Sequence, residues 1–382
     1  MAIARSRLFF AVLLISGVAA FAQQPNEGRV AAFLGEPKLE LKQVFTNERF
    51  PNVVVTKKGT VLVTWGNKHI RARRSEDGGK TWGDEITIVN PGFHGGGTTV
   101  DERTGDILAF VEANHPPAKI TMYRSKDDGK TWKPEAITIE PDKNGNVPSM
   151  HMNDHGITLM HGKHKGRLVR PSRWYSTKND RKFWPEHYTN AVYSDDGGKT
   201  WQTSDPFPEN GTGEATVTEL SNGSLYYNSR VHWQERPKNT RRRSAMSSDG
   251  GHSWKDWKVV DVLPDGHQHR SYGCMGGLVR LPVAGKDILI FSNIDTPNPK
   301  RERATVWASF DGGKTWPVKR LVFDGPSAYS SLNAGRPGTA SEGWIYLHFE
   351  GGSKGGSTVA RFNLAWLLAG ETTGDGSIPK TP

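Results

Sequence analysis

One eight-residue phrase occurs five times in this chain, and it restricts the fold more than any other feature. It reads Ser75-Glu-Asp-Gly-Gly-Lys-Thr-Trp82, Ser125-Lys-Asp-Asp-Gly-Lys-Thr-Trp132, Ser194-Asp-Asp-Gly-Gly-Lys-Thr-Trp201, Ser247-Ser-Asp-Gly-Gly-His-Ser-Trp254 and Ser309-Phe-Asp-Gly-Gly-Lys-Thr-Trp316. The shared pattern is S-x-D-x-G-x-[TS]-W, and recurrence at long intervals marks a repeated structural unit. Each copy has the parts of a tight turn. The third-position Asp can accept bonds from backbone N–H groups across the turn, and the Gly two places on supplies a backbone angle that other residues resist. The closing Trp can bury its ring beside the neighbouring unit and pin the turn. The segments just before the copies, such as Thr121-Met-Tyr-Arg, Ala191-Val-Tyr and Thr305-Val-Trp-Ala, read as strands, so each copy is expected at a β-hairpin tip. An Asp needed once per unit is structural; a catalytic residue is needed once per protein.

The copies begin 50, 69, 53 and 62 residues apart. That spacing exceeds the ~40–45 residues of a four-stranded WD-type blade and leaves room for long loops. It predicts an all-β fold, a six-bladed β-propeller with Asp-box hairpin turns, in which one blade lacks a recognisable copy.

The first 22 residues read as a secretory leader. Arg5 and Arg7 open it, Leu8 to Phe21 form the apolar stretch, and Ala20-Phe21-Ala22 is the small-residue cleavage site before Gln23. An uncleaved anchor is the weaker reading, because the apolar run is short. No other stretch approaches the ~18 apolar residues of a membrane span. Residues 23–382 would then form the propeller domain, secreted or periplasmic. A single cysteine, Cys274, excludes an intrachain disulfide framework and reads as a small buried residue. Loss of the leader, with two arginines and no acid, takes the net charge from +10 to +8, which favours anionic substrates. Nucleic acid is not indicated: the one dense basic run, Arg241-Arg242-Arg243, has no interleaved aromatics and reads as a solvated loop. The histidines at 151, 155, 161 and 164 come without H-E-x-x-H or paired cysteines, so they read as surface or supporting groups, with no metal and no organic cofactor implied.

Further segments occur in an order that resembles the exo-α-sialidase (neuraminidase) family. Arg49-Phe-Pro-Asn-Val-Val-Val is similar to the family's "RIP" segment. Gly213-Glu-Ala-Thr-Val-Thr-Glu-Leu through Arg230 resembles its "ECQVVEL-DG-L-LNAR" stretch. Arg301 stands eight residues before the box serine Ser309, with Arg303 the near alternative. Gly325-Pro-Ser-Ala-Tyr329-Ser-Ser-Leu resembles "G-YS-L", and Tyr346-Leu-His-Phe-Glu350 resembles "LYE". The resemblance implies that Arg49, Arg230 and Arg301 bind a sugar carboxylate. It implies that Tyr329 is the nucleophile, Glu214 its base, and Glu350 the group that orients Arg49. These residue types suit that chemistry. Guanidiniums grip a carboxylate with planar, forked bonds. A neutral tyrosine avoids the repulsion that a carboxylate nucleophile would meet beside the substrate's own carboxylate.

The family also carries an acid/base Asp between the "RIP" segment and the first box. Here that stretch, Trp65-Gly-Asn-Lys-His-Ile-Arg-Ala-Arg-Arg74, contains no Asp or Glu. His69 in the same loop, or Asp154 beside His155, are the alternatives. The resemblance implies a retaining glycosidase that acts on sialylated or other acidic glycans. A sialic-acid-binding propeller without catalysis and a propeller lyase acting on uronic-acid polymers are the competing readings.

Overall fold

The computed structural model describes residues 26–382, apart from 177–179, 232–240, 267–272 and 353–354 and the side chain of Arg181. The leader expected over residues 1–22 lies outside the described residues. Six four-stranded antiparallel units follow one another around a ring. The first comprises Asn52–Val55, Val61–Trp65, Ile70–Ser75 and Ile86–Val89. In the second, an inner strand broken into Phe93–His94 and Thr99–Val100 is followed by Ile107–Glu112, Ile120–Ser125 and Lys133–Glu135. The third is Ile157–Thr158, Leu168–Trp174, Tyr188–Ser194 and Thr200–Thr203, and the fourth is Thr212–Glu219, Leu225–Val231, Arg241–Ser247 and Lys255–Pro264.

The last two blades share a strand. Val318–Ala334 pairs through its first half with Glu302–Ser309 and through its second half with Ile345–Gly351. The fifth blade is therefore Gly277–Arg280, Leu289–Ile294, Glu302–Ser309 and the start of the long strand. The sixth is the remainder of that strand, Ile345–Gly351, Ser357–Phe362 and, from the other end of the chain, Leu39–Phe45. This closure explains why only five boxes exist. Each box caps the hairpin between the third and fourth strands of a blade. In the sixth blade those strands are not consecutive in sequence, so there is no hairpin to cap.

The second strands are buried on both faces, because each blade is sandwiched by its neighbours. Side chains alternate between the two sides of a strand. On Val61–Trp65, Val61, Val63 and Trp65 pack with Tyr346 and Val359 of the sixth blade. Leu62 packs with Ile107, Ala109 and Val111 of the second. One continuous apolar run thus serves two interfaces.

The box turns close as their sequence predicts. Asp127 accepts bonds from the Thr131 N–H at 2.8 Å, the Thr131 hydroxyl at 2.6 Å and the Ser125 hydroxyl at 2.9 Å. The Gly two places after each Asp takes the left-handed conformation that favours glycine, as Gly129 does at φ 84° and Gly313 at φ 86°. The Trp rings reach the preceding blade: Trp201 packs with Leu108, Phe110 and Met122, and Trp316 with Leu220 and Tyr226. A cationic strap that the repeat does not reveal joins them. Arg361 donates to the carbonyl of Gly78, Arg74 to that of Asp128, Arg124 to that of Gly197 and Arg167 to that of Gly250. Each of these carbonyls is at the fourth position of a box, and each arginine comes from the preceding blade in the ring.

One expectation fails. Arg241-Arg242-Arg243 is not a solvated loop but the start of the strand Arg241–Ser247, with Arg242 and Arg243 buried. Neighbouring acids make this burial possible: Glu209 binds Arg243 at 2.8 Å, and Asp265 lies 3.4 Å from Arg242.

Candidate active site

The boxes follow the third strands at one end of the blades. The candidate residues gather at the other end, where first strands begin and second strands finish. Glu214 and Tyr329 lie near the start of inner strands, and Arg230 and Glu350 near the end of second strands. Arg49 precedes the first inner strand, and Arg301 precedes Glu302–Ser309.

Tyr329 is the centre of the cluster. Its hydroxyl donates to Glu214 Oε1 at 2.6 Å. Glu214 Oε2 accepts from Arg230 Nη1 at 2.5 Å. The guanidinium carbons of Arg49 and Arg301 lie 4.9 and 5.2 Å from the centroid of the Tyr329 ring. Arg49 is fixed by a two-pronged bond to Glu350, 3.1 and 3.0 Å long, and Glu350 also accepts the N–H of Phe50 at 3.1 Å. Arg301 donates to the carbonyl of Gly273 at 2.8 Å. Arg303 turns away: it binds Asp324 at the surface. The structure therefore brings together Tyr329, Glu214, Arg49, Arg230, Arg301 and Glu350, whose sequence positions span 301 residues.

The electrostatics separate the two central groups. Burial alone would raise the Glu214 carboxyl, but the Arg230 guanidinium, the Tyr329 hydroxyl bond and Arg301 outweigh it, and Glu214 is held below the usual carboxylate range. Tyr329 is pushed far above the ordinary phenol value by burial and by the Glu214 charge, against the pull of Arg230, Arg301 and Arg49. The resting pair is thus a neutral phenol donating to a carboxylate. Proton transfer from one to the other is already aligned.

The backbone is bent to make this arrangement. Glu214 takes φ 53°, at a register shift between Gly213 and Ala215 against the neighbouring strand. That bulge turns its carboxylate toward Tyr329 instead of leaving it in the alternation of the strand. Phe50 at φ 72° and Met152 at φ 58° are also left-handed. Left-handed non-glycine residues cost of order 1–3 kcal/mol each and gather where geometry is over-determined.

Several supporting groups were not marked by the sequence reading. Arg242 donates to the carbonyl of Glu214 at 3.2 Å and to Asn228 at 2.7 Å. Asp265 lies between Arg242 and Arg230, 3.4 and 3.9 Å from them. Phe50 stacks on His94 at 4.8 Å and meets Tyr329 at 5.6 Å, and the sulfur of Met152 is 3.6 Å from the Tyr329 hydroxyl. The basic run was the one available signal for Arg242; no pattern marks the others. Of the two readings of the histidine cluster, surface or supporting, His151 and His155 take the second. His151 and His155 are buried, and His151 packs edge-on against Phe50 at 5.5 Å in the wall of the site. Among the described residues, no group of three or more His, Cys, Asp or Glu side chains could hold a metal ion. Cys274 is buried as expected, beside Phe50, Met275, Ile294 and Tyr329.

The two alternatives for the missing acid differ in access. Asp154 is fully buried on the propeller axis, bonded to Asn52 at 3.1 Å, Ser331 at 2.6 Å and Thr216 at 3.2 Å. It ties inner strands together, and both of its oxygens are taken by these bonds. His69 is tied to Thr87 of its own blade at 2.9 Å.

A ring of Asp-box blades with a tyrosine–glutamate pair among three arginines at one end defines a class of protein, and comparison with known proteins gives the same result. Residues 66–340 match the profile of the BNR repeat-like domain. The chain belongs to this BNR-repeat propeller family, and the resemblance to exo-α-sialidases holds across it. It is similar to the sialidase of Micromonospora viridifaciens, with 31% identity over 361 residues, covering 85% of this chain and 53% of that protein. It is also similar to the sialidase of Bacteroides fragilis (strain YCH46), with 28% identity, covering 72% of this chain and 55% of that protein. Among solved structures it resembles the Hadza microbial sialidase Hz136, at a TM-score of 0.64 and 25% identity, covering 84% of this chain and 66% of the other. The chain spans about half the length of the curated relatives it matches.

Proposed function

We propose that this chain is a retaining exo-glycosidase of the sialidase type, which releases a terminal sialic acid or a related nonulosonic acid from a glycan. The carrying observation is the Tyr329 hydroxyl bound to Glu214 at 2.6 Å, with Arg49 and Arg301 over the tyrosine ring and Arg230 on the glutamate. Arg49, Arg230 and Arg301 hold the sugar carboxylate, and Glu350 keeps Arg49 in place. Tyr329 Oη forms a bond to the anomeric carbon as its proton passes to Glu214 Oε1. The glycosidic bond breaks, and its electron pair stays on the leaving oxygen, which takes up a proton. In the second half, water attacks the same carbon, the tyrosyl–sugar bond breaks, and Glu214 returns the proton to Tyr329. Two inversions give net retention. Secretion or periplasmic export rests on the leader reading of residues 1–22 alone.

A binding propeller without catalysis is favoured by one observation only, the absence of an acid from Trp65–Arg74. A carbohydrate-binding site has no need of a buried Tyr–Glu proton pair.

The test is hydrolysis of an aryl α-ketoside of N-acetylneuraminic acid by the wild type and by Tyr329→Phe. Turnover that collapses in the variant supports the reading. Binding of the free sugar without turnover by the wild type would replace it with the lectin reading, and an unsaturated product from a uronic-acid polymer with the lyase reading.

A further inference from the structure

We propose that Glu112, at the end of the second blade's strand Ile107–Glu112, donates the proton to the leaving oxygen, in place of the acid that the first blade's loop lacks. This proposal deepens the sialidase reading and rests on it.

The placement comes first. Glu112 finishes a second strand, so it stands at the same end of the propeller as Arg230 and Glu350. It lines a cavity of about 510 Å³ together with Lys68, Phe93, Asn114, His115 and Lys119, a size within the range of ligand sites. Lys68 belongs to the shortened first-blade loop, so the cavity occupies the ground where a longer loop would stand. Its wall is continuous with the site. Phe93 pairs with Glu112 across the strands, Phe93 lies 4.8 Å from His151, His151 lies 5.5 Å from Phe50, and Phe50 lies 5.6 Å from Tyr329. The arginines and Glu350 belong to blades one, four, five and six. With the carboxylate held there, the rest of the substrate extends over blades two and three.

The hydrogen bonding singles out this carboxyl. Glu112 Oε1 accepts three bonds, from the Ser149 hydroxyl at 2.5 Å and from the N–H groups of Met150 and His151 at 3.1 Å each. Oε2 is buried with no partner among the described residues. Glu214 and Glu350 each bind an arginine, and among the described residues no arginine or lysine salt bridge holds Glu112. Burial is the dominant influence: it raises the carboxyl to about 8, against the pull of the three bonds to Oε1. The group is therefore a neutral acid at neutral pH, with its proton on the free oxygen. The ionisable groups facing it are His115, Lys68 and Lys119 around the cavity, His151 above it, and Tyr175 and Arg173 on the third blade. His115 and His151 are lowered by burial, His151 strongly, and Tyr175 is raised by burial. None of these three changes charge near pH 8.

Delivery of the proton requires a side-chain rotation that turns the buried Oε2 into the cavity. As Tyr329 Oη bonds to the anomeric carbon and the glycosidic bond breaks, the leaving oxygen takes the Glu112 proton. The resulting carboxylate then accepts a proton from the attacking water, and Glu112 is restored.

The test compares wild type and Glu112→Gln as full chains on two substrates, sialyllactose and an aryl sialoside. The first has a poor leaving group and needs the acid; the second does not. General acids contribute about 10²–10⁴-fold. The expected result is a loss of at least about 100-fold in kcat/KM on sialyllactose and less than about 10-fold on the aryl sialoside. The wild type should also show a fall in rate above about pH 8 on sialyllactose that the variant lacks. Equal losses on both substrates, or an alkaline fall that persists in Glu112→Gln, would overturn the assignment. If the variant does not fold, a wild-type profile on sialyllactose that stays flat through pH 9 overturns it, and a fall near pH 8 confined to that substrate supports it. A wild type that cleaves neither substrate instead sinks the sialidase reading beneath it.

Discussion

The two ends of this propeller are built from opposite kinds of information. At the box end, one solution is used five times: an Asp that closes a turn on its own neighbours, a left-handed Gly, and a Trp that docks on the preceding blade. At the other end nothing repeats. Tyr329, Glu214, Glu350 and the three arginines come from four of the six blades, and the bonds between them join residues as far as 115 and 301 positions apart. At the box end each Asp is satisfied within its own turn, and the fourth-position carbonyls of four boxes by an arginine of the preceding blade. The site end holds a buried phenol against a carboxylate and keeps Phe50, Met152 and Glu214 in the left-handed region. A repeated unit supplies rigidity, and that rigidity supports a strained, unrepeated constellation.

If this division is right, changes at the two ends should have separable effects. Tyr329→Phe removes the nucleophile and should lower kcat/KM for an aryl sialoside on the order of 10⁴-fold, with a melting temperature close to wild type. A similar loss of thermal stability would break the comparison. Trp201→Ala empties a fully buried interface between the second and third blades. It should cost about 3–5 kcal/mol in denaturant unfolding, while the folded fraction keeps its kcat. Arg301→Ala should raise KM and lower kcat/KM by about 100-fold without moving the pH optimum, as expected when one grip on a carboxylate is lost. Asp127→Asn keeps a turn but loses acceptor strength, and should cost about 1–2 kcal/mol with kcat/KM unchanged.

The smallest expected effects are in the pH dependence. Asp127 and Asp249 are held down to about 2, against their burial, by hydroxyl and N–H donors. Their stabilising contribution is complete above the unfolded value near 3.8 and disappears as pH falls toward about 2. Acid titration by circular dichroism should therefore show unfolding in that window, shifted in a double Asp→Asn variant. The same sign applies to Glu214, whose carboxyl is also lowered. Activity should persist down through the ordinary carboxylate range and be lost only below it. An acid limb above pH 5 in kcat/KM would assign that limb to another group.

Much of the fold was legible because boxes are local. Ser125, Asp127, Gly129, Thr131 and Trp132 act within eight residues, so a linear pattern captures their geometry, and their spacing gives the blade count. The sixth blade was legible only as a missing copy. Its reason, a fourth strand borrowed from Leu39–Phe45, is a pairing of the two ends of the chain. The site was legible in part, because segments around Arg49, Glu214, Tyr329 and Glu350 resemble a known family. Arg242 was misread as solvated because a basic run carries no sign of Asn228 and Asp265, which come beside it only when the second, third and fourth strands of blade four pair. Asp154 looked available for chemistry, yet Asn52, Ser331 and Thr216 enclose it on the axis.

What the sequence by itself determined is therefore whatever depends on short-range bonding: the turns, the strands between them and their number. The tertiary structure alone decided which charges are buried, which oxygens remain unpartnered and which way Glu214 faces. Those properties depend on groups brought close by ring closure, and Coulomb and desolvation energies depend on distance in space, not on separation along the chain.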